Sequence, residues 1–315
     1  MTTDWLILAR ATHFGACLLL FGIFAFDRGV ASAALARGSA DVAGYWCSRM
    51  RWLSAAALVV AGLSGAAWFY LVAATMSGQT PTAAILQVVW DKTQFGIVWK
   101  LRLVVWLLAA AALAGSWFWQ TRSTRRKKMI WIELALSGGL LGSLAWAGHG
   151  QVGQPSGAHL AADVLHLLVA GVWPAGLVPF ALVWRKLRRV EEPARKVAMA
   201  TLVNRFSAIS LAAVATLTAT GLVNAWFLVG TWANLFTQPY GWWLLAKIAL
   251  FIGAVAIGAV NLLQLSPKLR AENEPEAGRV KAAARLQVNV GIEVGLAVVI
   301  VVVVAVLGLL PPALG

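Results

Sequence analysis

The chain has 315 residues, 60% of them apolar and 12% charged, with a formal charge of +14 and a mean hydropathy of +0.77. A water-exposed globule of that composition would be insoluble, which leaves an integral membrane protein built of α-helices that bond their own backbone across about 30 Å of hydrocarbon. The positive charge does not indicate nucleic acid as a partner, because the basic residues are confined to alternate loops.

Eight apolar stretches, at roughly 5–27, 52–76, 96–119, 129–148, 159–184, 205–230, 241–264 and 288–310, are each long enough to span a bilayer. They take up nearly the whole chain, so residues 1–315 read as a single transmembrane domain. The opening "MTTDWLILARATHFGA" has no basic region before its apolar run and no convincing cleavage site, and is expected to be the first helix rather than a removed signal. Segments 28–51, 120–128, 185–205 and 265–287 hold 21 of the 26 Lys and Arg, whereas 149–158 and 231–240 hold none and 77–95 only Lys92. Basic loops stay cytoplasmic. Both termini and the loop "GHGQVGQPSGAH" are therefore expected outside, with anionic lipid against the basic inner face.

Helix 1 carries His13 and, one turn on, Cys17. Helices 3 and 7 carry Lys100, Arg102 and Lys247 near their outer ends, where they are expected to snorkel unless one of them pairs with Asp163. Helix 4 ends at His149. Helix 5 presents His159, Asp163 and His166 at i, i+4 and i+7, on one face, with His166 about 10 Å deeper than His159. Trp173-Pro174 is expected to kink that helix below His166. The two halves echo each other in order: His13 over His166, Ser64-Gly65 over Thr220-Gly221, Gly96 over Gly241 and Arg102 over Lys247. An even number of spans in each half predicts a parallel four-plus-four repeat about an axis along the membrane normal.

Two readings of these side chains stay open. In the plain one, His149 and His159 are interfacial, His13 and His166 bond to neighbouring helices, and Cys17 is a small buried hydrophobe. In the functional one, ionisable groups at this depth mark an ion pathway. Neutral imidazoles ligate copper, zinc, iron or nickel, and a thiolate beside His13 favours Cu(I) over Cu(II). His13 and His166 then approach one metal near the axis, supported by Asp163 or Cys17, with His149 and His159 as a shallower capture site.

"GHGQVGQPSGAHLAADVLHLLVAGVWPAGL", followed by "NRFS", "TGLVNAW", "YGWWLLAK" and "NLLQLSP" and preceded by "TQFGIVWKLRL", resembles the CopD family of bacterial copper-resistance membrane proteins from about residue 5 to 310. The resemblance implies an eight-helix protein of the bacterial inner membrane that handles copper and imports it from the periplasm beside a small carrier of the CopC type. With five methionines and none clustered outside, the chain lacks a Met-rich copper-collecting arm. The sequence has no ATP-binding loop and no paired nucleophile and base, so transport is expected to be secondary or passive and the protein not an enzyme. The alternative function is electron transfer by a b-type haem held axially by His13 and His166 near the outer face.

Overall fold

Backbone that crosses hydrocarbon has no water to bond, so each apolar run closes its hydrogen bonds within itself. The structure, a computed structural model, describes residues 2–36, 40–118, 123–147, 157–190, 194–271 and 273–313, and among these no strand occurs. Eight helices are long and apolar enough to cross a membrane: Thr3–Leu35, Ala40–Ser77, Gln94–Trp117, Lys128–Ala147, Gly157–Leu187, Arg195–Val229, Pro239–Arg270 and Glu276–Leu307.

The span centres fall where hydropathy puts them; the basic ends do not. Stretches 28–51, 185–205 and 265–287, expected as loops, are largely helical. Helix α1 (Thr2–Phe26) runs through a π turn (Asp27–Ala31) into α2 (Ser32–Leu35). The third helix, α3, is Ala40–Ser77. These extensions are amphipathic, and packing holds them. Val42, Trp46 and Met50 of α3 share a core with Trp184, Ala198, Leu202 and Leu286.

The connections at 77–95, with its one basic residue, and at 231–240, with none, are also partly helical. After α3 come α4 (Ala83–Lys92), α5 (Gln94–Phe118), α6 (Ser123–Gly142), α7 (Gly157–Val172), α8 (Leu177–Leu187) and α9 (Ala194–Val229). A short α10 (Trp232–Thr237) then precedes α11 (Pro239–Val260), a second π turn (Asn261–Leu265), α12 (Ser266–Arg270) and α13 (Glu276–Leu307). Helices α3 and α9 stop at Gly78 and Gly230, both with positive φ. That is the left-handed helix ending that a Cβ would penalise. The short α4 and α10 then fold back onto the next span. A Cβ on Gly96 would collide with the Val89 carbonyl oxygen, and one on Gly241 with that of Asn234.

Pro174 breaks the fifth span, as its missing N–H requires. The chain leaves α7, Ala175 N–H donates to the Ala170 carbonyl five residues back, and α8 restarts at Leu177. Helix α1 packs against α3, α6, α7 and α13 at the centre of the bundle. It meets α7 closely, since a Cβ on Gly22 would stand 2.6 Å from the Gly171 carbonyl oxygen. Leu63, Leu101, Leu211, Leu222 and Val298 point away from the core, giving the apolar exterior that acyl chains require.

Candidate functional site

His13 lies 4% exposed on α1. One ring nitrogen, Nε2, is 2.5 Å from a terminal nitrogen of Arg102 on α5. A guanidinium only donates, so Nε2 is the acceptor and the ring proton sits on Nδ1. Nδ1 accordingly donates to the Ala61 carbonyl at 2.9 Å, with Ser64 Oγ at 3.2 Å. Ser64 itself donates to the Val60 carbonyl at 2.6 Å, which leaves its oxygen free to accept. Gly65 makes room for the ring: a Cβ there would approach His13 Cε1 to 3.1 Å.

Cys17, fully buried one turn further along α1, puts its Sγ 3.7 Å from the same Nε2. Arg102 reaches both atoms, with its terminal nitrogen 3.8 Å from that sulfur. Its other terminal nitrogen donates to the Leu140 carbonyl at 2.8 Å and to Ser143 Oγ at 2.5 Å, which ties α5 to the end of α6. Trp68 and Trp99 wall the imidazole at centroid distances of 5.6 and 6.2 Å, and Trp99 Nε1 donates to the Gly65 carbonyl. Arg102 does not snorkel. Of the three cations expected at the outer ends, Lys100 sits at the surface, paired with Asp91 at 2.9 Å, while Arg102 is buried on His13.

His166 on α7 repeats part of this arrangement with other chemistry. Thr220 on α9 donates to the Thr216 carbonyl at 2.7 Å, so its oxygen accepts from His166 Nδ1 at 2.9 Å. The tautomer is again Nδ1–H. Here, among the described residues, Nε2 has no hydrogen-bond partner. A Cβ on Gly221 would lie 3.7 Å from His166 Cε1, the counterpart of Gly65 against His13. Asp163, one turn away, accepts from Asn224 Nδ2 at 3.3 Å. Lys247 on α11 lies close enough to act electrostatically on Asp163 and on His166. His159 is buried rather than open at a mouth, stacked on Phe227 with centroids 4.9 Å apart. His149 lies outside the described residues.

The polar contacts of His13 go to α1, α3 and α5, and those of His166 to α9. Helices α1 and α7 touch, but each histidine turns into its own half, and no hydrogen bond among the described residues joins the two. Among those residues no group of three or more His, Cys, Asp and Glu is placed to hold a metal ion. Arg10 is a further buried cation, which the sequence reading does not single out. It lies over Trp68 at 4.7 Å, with its guanidinium against Gly308 at the carbonyl end of α13. A helix dipole favours a cation there. An arginine one turn before His13 inside an apolar run is the available signal.

Residues 200–307 match the family model for copper resistance protein D, and residues 1–160 match the model for the N-terminal domain of copper resistance protein D-like proteins. Copper resistance protein D of Pseudomonas syringae pv. tomato is 30% identical over 270 residues, covering 83% of this chain and 84% of that protein. Copper transport protein CutJ of Bacillus subtilis (strain 168) is 34% identical over 125 residues, 40% of this chain and 23% of that longer protein. No solved structure matches the chain. With model matches in both halves and one relative aligned along most of its length, the chain belongs to the copper resistance protein D family.

Proposed function

We propose that this protein carries copper ions inward across the bacterial inner membrane. The observation that carries the reading is the shared tautomer. In both clusters a carbonyl or an already committed hydroxyl takes the Nδ1 proton. Each imidazole is then neutral and keeps Nε2 as a lone pair, the form in which histidine ligates metals. Sγ of Cys17 stands 3.7 Å from Nε2 of His13. That spacing lets one ion touch both at bond lengths of about 2.3 and about 2.0 Å, as in zinc sites. Nitrogen with sulfur suits Cu(I) better than Cu(II). The relatives, one a copper resistance and one a copper transport protein by name, support copper as the cargo.

The matched contacts of Ser64 and Thr220, of Gly65 and Gly221, and of Gly96 and Gly241 support a parallel four-plus-four repeat. Combined with the division of polar contacts, the repeat favours two histidine sites, one in each half, over one ion shared by His13 and His166. Asp163 supports the second site, and His159, two turns before His166 on the same helix, lies toward its outer approach. The skew of basic residues favours both termini and this approach in the periplasm, with anionic lipid at the inner ends and a CopC-type carrier as copper donor. Expression in a copper-sensitive bacterium is expected to raise cell-associated copper, and His166→Ala to remove the rise. A fall in cell copper would reverse the direction. A reducible Soret band in the purified protein would replace copper with haem electron transfer through His13 and His166.

A further inference from the structure

Glu293 sits within α13, 3% exposed, far from the His13 cluster along the membrane normal. Gly308 of the same helix lies against Arg10, one turn from His13. At about 1.5 Å per residue, Glu293 stands about 22 Å from that level, toward the face that carries the basic segments. Its surroundings are built around one oxygen. Asn289, one turn before it, donates Nδ2 to Asn261 Oδ1 at 2.7 Å, and Asn261 donates Nδ2 to Glu293 Oε1 at 2.6 Å. Asn261 opens the π turn of the seventh span, and its carbonyl takes both the backbone N–H and the hydroxyl of Ser266. Single π turns inside helices recur at functional sites, and this one aims an amide at a carboxyl.

The second oxygen, Oε2, has no hydrogen-bond partner among the described residues. Glu293 lines a cavity of about 140 Å³, between α8, α9, the second π turn and α13, whose walls include Trp173, Phe206 and Val290. Ser210 Oγ, on the same cavity, is also buried without a partner among the described residues. A space of this size holds several waters, and two unsatisfied polar groups would anchor them. The oxygen-only donors are too few for a hard cation, which wants about six, and too hard for copper.

Among the described residues Glu293 is the only titratable one lining the cavity. From the packed elements, Arg188 at the end of α8 donates to Gln287, Arg205 of α9 to the Gly29 carbonyl, and Lys268 and Arg270 of α12 lie outside the cavity lining. No described cation pairs with the carboxylate.

We propose that Glu293 is a proton-exchanging carboxyl that takes up and releases a proton through this cavity, in the half of the protein nearest its basic face. Glu–COOH gives Glu–COO⁻ and H⁺, the proton passes to cavity water, and no electrons move. The Asn289–Asn261 relay donates to Oε1, the contact a carboxylate accepts, while the cavity beside the carboxyl leaves room for the water that would carry the proton. Using this exchange to drive ion movement rests on the copper reading; the proton site itself does not.

The test is infrared difference spectroscopy of the purified full chain, without copper, across a pH series. A protonated carboxylic-acid carbonyl band that titrates in the parent and disappears in Glu293→Gln is the expected result. Asn261→Leu, which keeps the acid but removes its donor, should move the midpoint to higher pH. The proposal is overturned if Glu293→Gln retains every titrating band of the parent. Should the glutamine variant fail to fold, an unmoved midpoint in a folded Asn261→Leu variant overturns it as well. Loss of copper uptake with the band intact would count against the copper reading and leave the proton site standing.

Discussion

Arg102 stands where copper would have to bind in the first half. Its terminal nitrogen lies 2.5 Å from Nε2 of His13 and 3.8 Å from Sγ of Cys17, the two atoms best suited to Cu(I). An ion bridging them would sit against a guanidinium that carries the same sign of charge. At an effective dielectric constant near 20, two unit charges about 4 Å apart repel by about 4 kcal/mol, equivalent to nearly three decades in affinity. Withdrawal of that nitrogen lowers the repulsion, at the loss of its charged hydrogen bond to His13, worth about 1.5–3 kcal/mol. Arg102→Met keeps much of the volume and removes the charge, so it should tighten Cu(I) binding at His13 and Cys17 by between about one and three decades. Competition with a chromophoric Cu(I) chelator, with His166→Ala in the background to silence the second cluster, reads that site alone. Unchanged or weaker binding in a variant that unfolds at the parent's temperature would refute the idea that Arg102 occupies a copper position.

Thr220→Val removes the acceptor that fixes Nδ1–H on His166. It should weaken copper binding at the second cluster by about 10- to 100-fold while leaving the His13 cluster unaltered, as measured by the same competition in a His13→Ala background. Gly22→Ala would drive a Cβ to 2.6 Å from the Gly171 carbonyl oxygen, which is backbone and cannot yield. A loss of about 1–3 kcal/mol is expected in thermal unfolding. By contrast Gly221→Ala, whose Cβ would find its nearest atom at 3.7 Å, should unfold like the parent.

The sequence exposes depth and conceals azimuth. Eight apolar runs place each side chain along the membrane normal, and the repeat pattern finds Ser64 and Thr220 because a hydroxyl followed by glycine recurs at one spacing. Hydropathy does not say which way a residue turns around its helix. Nearness to a helix end therefore points Arg102 at the headgroups, although its partner lies 89 residues away on another span. His13 and His166 are expected to converge because their helices meet, and those helices do meet at Gly22 and Gly171, yet the contacts turn the two rings into separate halves. The helical ends of the basic segments escape for a different reason. A window set to bilayer length sees only the lipid-crossing part of a helix, while Trp46 and Leu202 extend theirs by packing. Glu293 does not stand out as one carboxyl in the most apolar of the spans, where the surrounding valines dominate any average.

The two histidine clusters share a tautomer and differ in charge, and that difference bears on where a cation enters. Beside His13 stand two guanidinium groups, Arg102 on its Nε2 and Arg10 over Trp68. Beside His166 the position matching Arg10 is Asp163, which sets a carboxylate against Lys247 and leaves Nε2 open. A positive ion approaching the first cluster meets repulsion, most of all from Arg102 on the ligating nitrogen, whereas the second offers an open lone pair one turn from a carboxyl group. On the proposed repeat, the second half would be the one to receive copper. The first half would become accessible only if Arg102 left His13, and its other terminal nitrogen already holds Ser143 and the Leu140 carbonyl.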